Sequence, residues 1–108
     1  MTDTLINSYA EAVAAIARAE GHSSVVENEL FSVVAALKSS DELRSTLTDQ
    51  KLPVARRQQI VEDLLGGKAG ATTVSIVSLL VANGRIGDIE AIVSAAVAQS
   101  AGARGEAV

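Results

Sequence analysis

Residues 69–84 carry no charged side chain, and this segment constrains the fold more than any other part of the chain. A helix on the surface of a soluble protein normally shows water a charged or polar face. The segment is also too short to span a bilayer, which takes about 20 apolar residues. It is therefore either a helix surrounded by other helices of the same chain, or a helix with one face kept for a partner.

The rest of the chain shows helical periodicity separated by short breaks. Predicted helices cover about residues 5–20, 24–38, 42–47, 53–65, 71–83 and 86–100. No segment alternates with period two over the length of a strand, so the predicted fold class is all-α, a six-helix bundle over residues 1–100. Residues 101–108 contain two glycines and no periodicity, and we expect a flexible tail or an interdomain linker there.

Each long helix has a predicted inward face. In the first helix it comprises Leu5, Ile6, Tyr9, Ala12, Val13, Ile16 and Ala17. In the second it comprises Val26, Leu30, Val33, Val34 and Leu37. In the fourth it comprises Ile60, Val61, Leu64 and Leu65, with Arg56 and Arg57 predicted on the solvated side. In the sixth it comprises Ile89, Ile92, Val93, Ala96 and Val97. These faces predict one shared core.

The fifth helix divides into two arcs at the period of 3.6 residues. The arc predicted to face the core holds Thr73, Val74, Ile76, Val77, Leu80 and Val81. The other arc holds Thr72, Ser75, Ser78, Leu79, Ala82 and Asn83. It is small and uncharged, with one protruding leucine. Two interpretations stay open: burial by the chain's own helices, or a shallow groove for an amphipathic helix of another chain. The first helix matches the second interpretation, because its apolar arc is wide and Ala10 and Ala17 allow close helix approach.

The sequence offers little for catalysis or metal binding. His22 is the only histidine, and it sits in a Gly-His-Ser-Ser segment typical of a solvated loop. There is no cysteine, and the carboxylates are spread over the polar faces rather than paired. We therefore predict no catalytic residue, no metal site and no cofactor.

Binding to nucleic acid or phosphate is also disfavoured. The net charge of −4 repels a polyanion. Residues 66–72 lack the spacing of a phosphate loop. If the last two helices were a helix-turn-helix, Asp88 and Glu90 would oppose phosphates at the start of the recognition helix. Lys51, Arg56 and Arg57 are best explained as a solvated face. The N-terminus is not a basic leader, so we expect a cytoplasmic protein without direct membrane insertion.

Three segments, in order along the chain, resemble the delta subunit of the bacterial F-type ATP synthase, a family that includes the mitochondrial oligomycin-sensitivity-conferring protein. Residues 9–12, Tyr-Ala-Glu-Ala, resemble the Tyr-Ala-x-Ala start of the family's first helix. Residues 80–86, Leu-Val-Ala-Asn-Gly-Arg-Ile, resemble the end of its Leu-x-x-x-Asn-Gly-Arg-Leu segment, at Asn83, Gly84, Arg85 and Ile86. Residues 47–65 are similar to the middle of the same domain at Pro53, Arg57, Ile60, Leu64 and Leu65.

The chain departs from the family pattern in three places. It has Asn7-Ser8 where the family often has Arg-Pro or Arg-x, and Val74-Ser75-Ile76 where the family often has Asn-Phe. A late aromatic residue in the sixth helix is missing. The resemblance covers the first domain of the family, so we expect the chain to correspond to the N-terminal domain, without the family's second domain.

The resemblance implies a six-helix bundle at the top of the enzyme's catalytic head, on the cytoplasmic side of the cell membrane. There the family's N-terminal domain binds the N-terminal helix of an alpha subunit with its first and fifth helices. The b subunits of the peripheral stalk contact the second domain. The complete subunit holds the head against rotor torque during proton-driven ATP synthesis and does no chemistry itself.

From the arcs and the resemblance together, we predict partner contacts on the first and fifth helices. The residues are Ile6, Tyr9, Ala10, Val13, Thr72, Ser75, Leu79 and Ala82. The alternative is a self-contained helical regulatory or homodimerising domain that buries the same faces against a second copy. An enzyme is the third possibility, and the lack of convergent polar residues argues against it.

Overall fold

A computed structural model describes residues 2–21 and 23–103 of the chain. Within these residues there are six α-helices, one 3₁₀ turn and no strand, which confirms the predicted all-α bundle. The helices are α1 (Thr2–Ala19), α2 (Ser23–Ser39), α3 (Asp41–Leu47), α4 (Val54–Leu65), α5 (Ala71–Ala82) and α6 (Ile89–Ala103), with the 3₁₀ turn at Ile86–Asp88. No helix in this part of the chain combines the length and the apolar character needed to cross a membrane.

Several helix ends differ from the prediction. α3 begins at Asp41 and is capped by Ser40, whose hydroxyl accepts the backbone N–H of Leu43 at 3.1 Å. Pro53 lies one residue before α4 instead of in its first turn. The 3₁₀ turn replaces the expected first turn of α6, and α6 then continues through Ala103. Residues 104–108 lie outside the described residues, so the predicted tail or linker stays a prediction.

The helices pack in two main pairs. α1 lies along α6, α4 lies along α5, and α2 contacts α1, α5 and α6 and so joins the pairs. The predicted inward face of α2 is confirmed in full, since all five of its residues are buried. In α6, Ile89, Ile92, Val93 and Ala96 are buried as predicted, and Val97 packs against the core at its edge.

The inward face of α1 is rotated from the predicted one. Its buried residues are Ala10, Val13, Ala14 and Ala17. Ala12, which was predicted to face inward, is exposed, and Leu5 is 43% exposed. The alanines at positions 10, 14 and 17 are spaced four and three apart, so they form one seam along which α1 can approach α6 closely. Ile6, Tyr9 and Ile16 of the same apolar arc lie at the edge of the core and are only partly buried.

The predicted solvated position of Arg57 on α4 is wrong. Its side chain is only 4% exposed, while the neighbouring Arg56 is exposed. Arg57 Nε donates to the Leu52 carbonyl at 3.0 Å, and Nη1 donates to the Val81 carbonyl at 3.4 Å. These bonds hold the loop before α4 against the end of α5. A local periodicity argument misses this position, because an arginine on a polar arc is predicted to face water whether or not another helix covers it.

Candidate partner-binding face

The outer arc of α5 is an uncharged surface. Leu79 is 37% exposed, and Ser75, Ala82 and Asn83 are exposed beside it. Thr72 is half-buried, and so is Ser78, whose backbone carbonyl accepts the Gln58 amide of α4 at 3.2 Å. The chain's own helices therefore leave most of this arc open to solvent. The interpretation in which they bury it completely is wrong.

The opposite arc of α5 is buried in the core, and this fixes which side of the helix faces solvent. Thr73, Ile76, Val77, Leu80 and Val81 are all buried, as predicted, and Val74 is half-buried. Leu79 and Leu80 are adjacent in sequence, yet one is 37% exposed and the other has no exposed surface. The helix thus presents one side to the core and the other to solvent, and both are free of charge.

The predicted contact residues of α1 fall into two groups. Ile6 and Tyr9 are half-buried and pack against the edge of the core, with the exposed Leu5 beside Ile6 in the sequence. Ala10 is completely buried, and Val13 is 2% exposed. Because their side chains are already in the core, Ala10 and Val13 cannot touch a partner in this conformation. They are part of the hydrophobic core.

Tyr9 and Arg85 connect α1 to the end of α5. The Arg85 guanidinium carbon lies 5.9 Å from the centre of the Tyr9 ring, within the range of a cation–π contact. Arg85 also lies 3.6 Å from a carboxylate oxygen of Asp88. Direct packing between α1 and α5 is slight compared with the packing of each on its main partner. The Tyr9–Arg85 contact is therefore a specific link between the two predicted halves of the face.

The end of α5 is fixed by a glycine turn. Gly84 has a φ of +69°, its N–H donates to the Val81 carbonyl at 3.1 Å, and the Arg85 N–H donates to the Leu80 carbonyl at 2.8 Å. This pair of bonds is the Schellman arrangement, which needs a left-handed residue after the helix. The turn places Arg85 beside the last exposed residues of α5.

Arg57, Arg85 and Leu5 were not among the predicted contact residues. The available signal for Arg85 was its position directly after the Asn-Gly turn that ends α5. Arg57 matches the family pattern in residues 47–65, but the local sequence does not indicate that it is buried, because its burial depends on α5 and on the loop before α4. His22, the histidine considered as a base, lies outside the described residues. In residues 2–21 and 23–103 no group of three histidine, aspartate or glutamate side chains could hold a metal ion.

Comparisons with known proteins agree with the sequence resemblance. A family model described as ATP synthase delta (OSCP) subunit matches residues 5–108. The chain is similar to the ATP synthase subunit delta of Streptomyces avermitilis, with 42% identity over 61% of this chain and 24% of the relative. It is also similar to the subunit of the same name from Gluconobacter oxydans, with 31% identity over 99% of this chain and 49% of the relative. The matched part of the chain thus spans about half the length of the Gluconobacter oxydans relative and about a quarter of the Streptomyces avermitilis relative.

Proposed function

Because the chain belongs to the ATP synthase delta (OSCP) subunit family, we propose that it is a non-catalytic stator domain that binds the N-terminal helix of an alpha subunit. In this proposal the bundle sits at the top of the catalytic head, at the cytoplasmic side of the membrane. It helps link the head to the peripheral stalk, whose b subunits contact a second domain. It resists rotor torque during proton-driven ATP synthesis.

The observation that carries the proposal is the uncharged exposed arc of α5. An amphipathic helix binds by laying its apolar side chains in a matching surface, and it is recognised through residues one turn apart. Ser75, Leu79 and Ala82 are exposed at this spacing along α5. Leu79 supplies an apolar contact, and the small residues on either side allow a second helix to come close. Ile6 and Tyr9 supply further apolar surface on α1.

A peptide titration tests this proposal. A peptide of the first 20 or so residues of the cognate alpha subunit, enough for a few turns of helix, is added to the isotopically labelled domain. Backbone chemical shifts are followed. We expect the largest changes at exposed residues of α5 and α1. Leu79→Asp should abolish binding while the domain stays folded.

Leu64→Asp is the matched control. Leu64 on α4 is 41% exposed, close to the exposure of Leu79, and it lines an apolar cleft between α2, α3 and α4. The same leucine-to-aspartate change at a different face should leave peptide affinity unchanged. Wild-type protein that does not bind the peptide would refute the proposal. A stable dimer in sedimentation, together with no peptide binding, would favour the homodimerising alternative.

A further inference from the structure

A polar pocket opens at the C-terminal end of α5, next to the uncharged face. It has a volume of about 570 Å³, and Arg57, Arg85, Gln50 and Asn83 contribute to its lining. Ala82, an exposed residue of the uncharged face, also lines it. The pocket and the face are therefore continuous, so a helix lying on α5 would reach the pocket at one end.

The charge of this pocket is positive and poorly compensated. Arg57 is buried, and both of its described hydrogen bonds go to backbone carbonyls. It takes part in none of the ion pairs formed by the described residues. Carbonyls at the end of a helix offset part of the cost of a nearby cation. A buried charge is nevertheless unfavourable without an opposite charge, so the site favours an incoming anion.

Arg85 is a second arginine that lines the same pocket. Its only described ion pair is with Asp88, at 3.6 Å, and Asp88 is not among the lining residues. An arginine pair suits a carboxylate well, because guanidinium groups present planar sets of N–H donors that match its two oxygens. Gln50 contributes a further amide group.

From this arrangement we propose that the pocket binds a carboxylate side chain of the peptide helix that lies on α5. This inference rests on the proposed function, and it adds the recognition chemistry. The interface is then apolar over Leu79 and Ala82 and is held in register by an ion pair with Arg85, next to the buried charge of Arg57. A helix placed one turn out of register, or in the reverse direction, would lose that pair.

The test uses the alpha-subunit peptide and a charge-matched pair of variants. Arg85→Gln should weaken binding about tenfold, as expected when one partner of an interfacial ion pair is lost. Arg56→Gln is the control, because it removes the same charge from an exposed position on α4 outside the pocket. The affinity of this variant for the peptide should stay within about twofold of the wild-type value. Arg57→Gln should weaken binding as well, and its circular dichroism spectrum reports whether it folds.

Peptide variants identify the carboxylate. Each acidic residue is replaced by its amide in turn, and one of these peptides should lose about tenfold in affinity for the wild type but little for Arg85→Gln. If the wild type binds the peptide and no amide variant or Arg85→Gln changes the affinity, this inference is wrong and the proposed function stands. If the wild type does not bind, both fall together. An equal loss with Arg56→Gln would show a general charge effect and would also overturn the inference.

Discussion

Glu29 on α2 caps the first turn of α5 through Thr73. Thr73 Oγ1 donates to Glu29 Oε1 at 2.5 Å, and the same oxygen accepts the backbone N–H of Gly70 at 3.1 Å. Gly70 is the N-cap residue of α5 and has no side chain for that role. A carboxylate from another helix thus accepts the N–H of the N-cap residue, which in a capping box is accepted by a Glu or Gln at the third helical position, and its charge suits the positive end of the helix. The contact ties the first turn of α5 to α2.

Removal of the Glu29 carboxylate should destabilise the fold. We expect Glu29→Ala to lower the free energy of unfolding by about 1–2 kcal/mol, the usual cost of losing a helix cap. Glu29→Gln keeps an acceptor oxygen and should cost less. Urea denaturation measures both. A double-mutant cycle with Thr73→Val should show a coupling above about 0.5 kcal/mol, and purely additive effects would contradict the cap.

The buried arginine of α4 should matter far more for stability than its neighbour. Arg57→Met should lower the free energy of unfolding by about 1–3 kcal/mol, because the Leu52 and Val81 carbonyls lose a charged donor. Arg56→Met, at an exposed position, should stay within about 0.5 kcal/mol of the wild type. Thermal or urea unfolding monitored by circular dichroism gives both values. Similar losses for the two variants would mean that Arg57 is solvated after all.

The two adjacent leucines of α5 give a direct test of which arc faces inward. Leu80 has no exposed surface, so Leu80→Ala should cost about 2–5 kcal/mol. Leu79 is 37% exposed, and Leu79→Ala should cost about 1 kcal/mol or less. Chemical denaturation compares the two variants under identical conditions. A larger loss of stability for Leu79→Ala than for Leu80→Ala would contradict the finding that Leu80 faces the core and Leu79 faces solvent.

Gly84 should resist substitution for a conformational reason. Its φ of +69° is unfavourable for residues with a Cβ, and a Cβ at this position would meet nothing closer than 3.7 Å. Gly84→Ala should therefore cost about 1–2 kcal/mol through the backbone alone. Gly87→Ala in the following 3₁₀ turn, where φ is not positive and the nearest atom is 4.0 Å from the added Cβ, is the control. It should be close to neutral in the same unfolding assay.

Several features of this protein follow from the sequence alone. The number and approximate extent of the helices depend on local periodicity and on breakers such as Gly84, which act over a few residues. The inward face of α2 and the division of α5 into two arcs also follow from the sequence. In each helix the aliphatic residues at helical spacing form one face, and that face is the one that packs against the core. The family was recognisable from short segments such as residues 80–86.

The tertiary structure decided what periodicity leaves open. The apolar arc of α1 is wide, and only its packing on the other helices, chiefly α6, decided that Ala10, Ala14 and Ala17 are buried while Ile6 and Tyr9 lie at the edge of the core. For the same reason Ala10 and Val13 became core residues instead of surface contacts. The hydrogen bond from Arg57 to Val81 and the one from Thr73 to Glu29 each join residues more than twenty positions apart in the sequence. Such contacts depend on how helices meet in space, and a pattern confined to one helix contains no information about its neighbours.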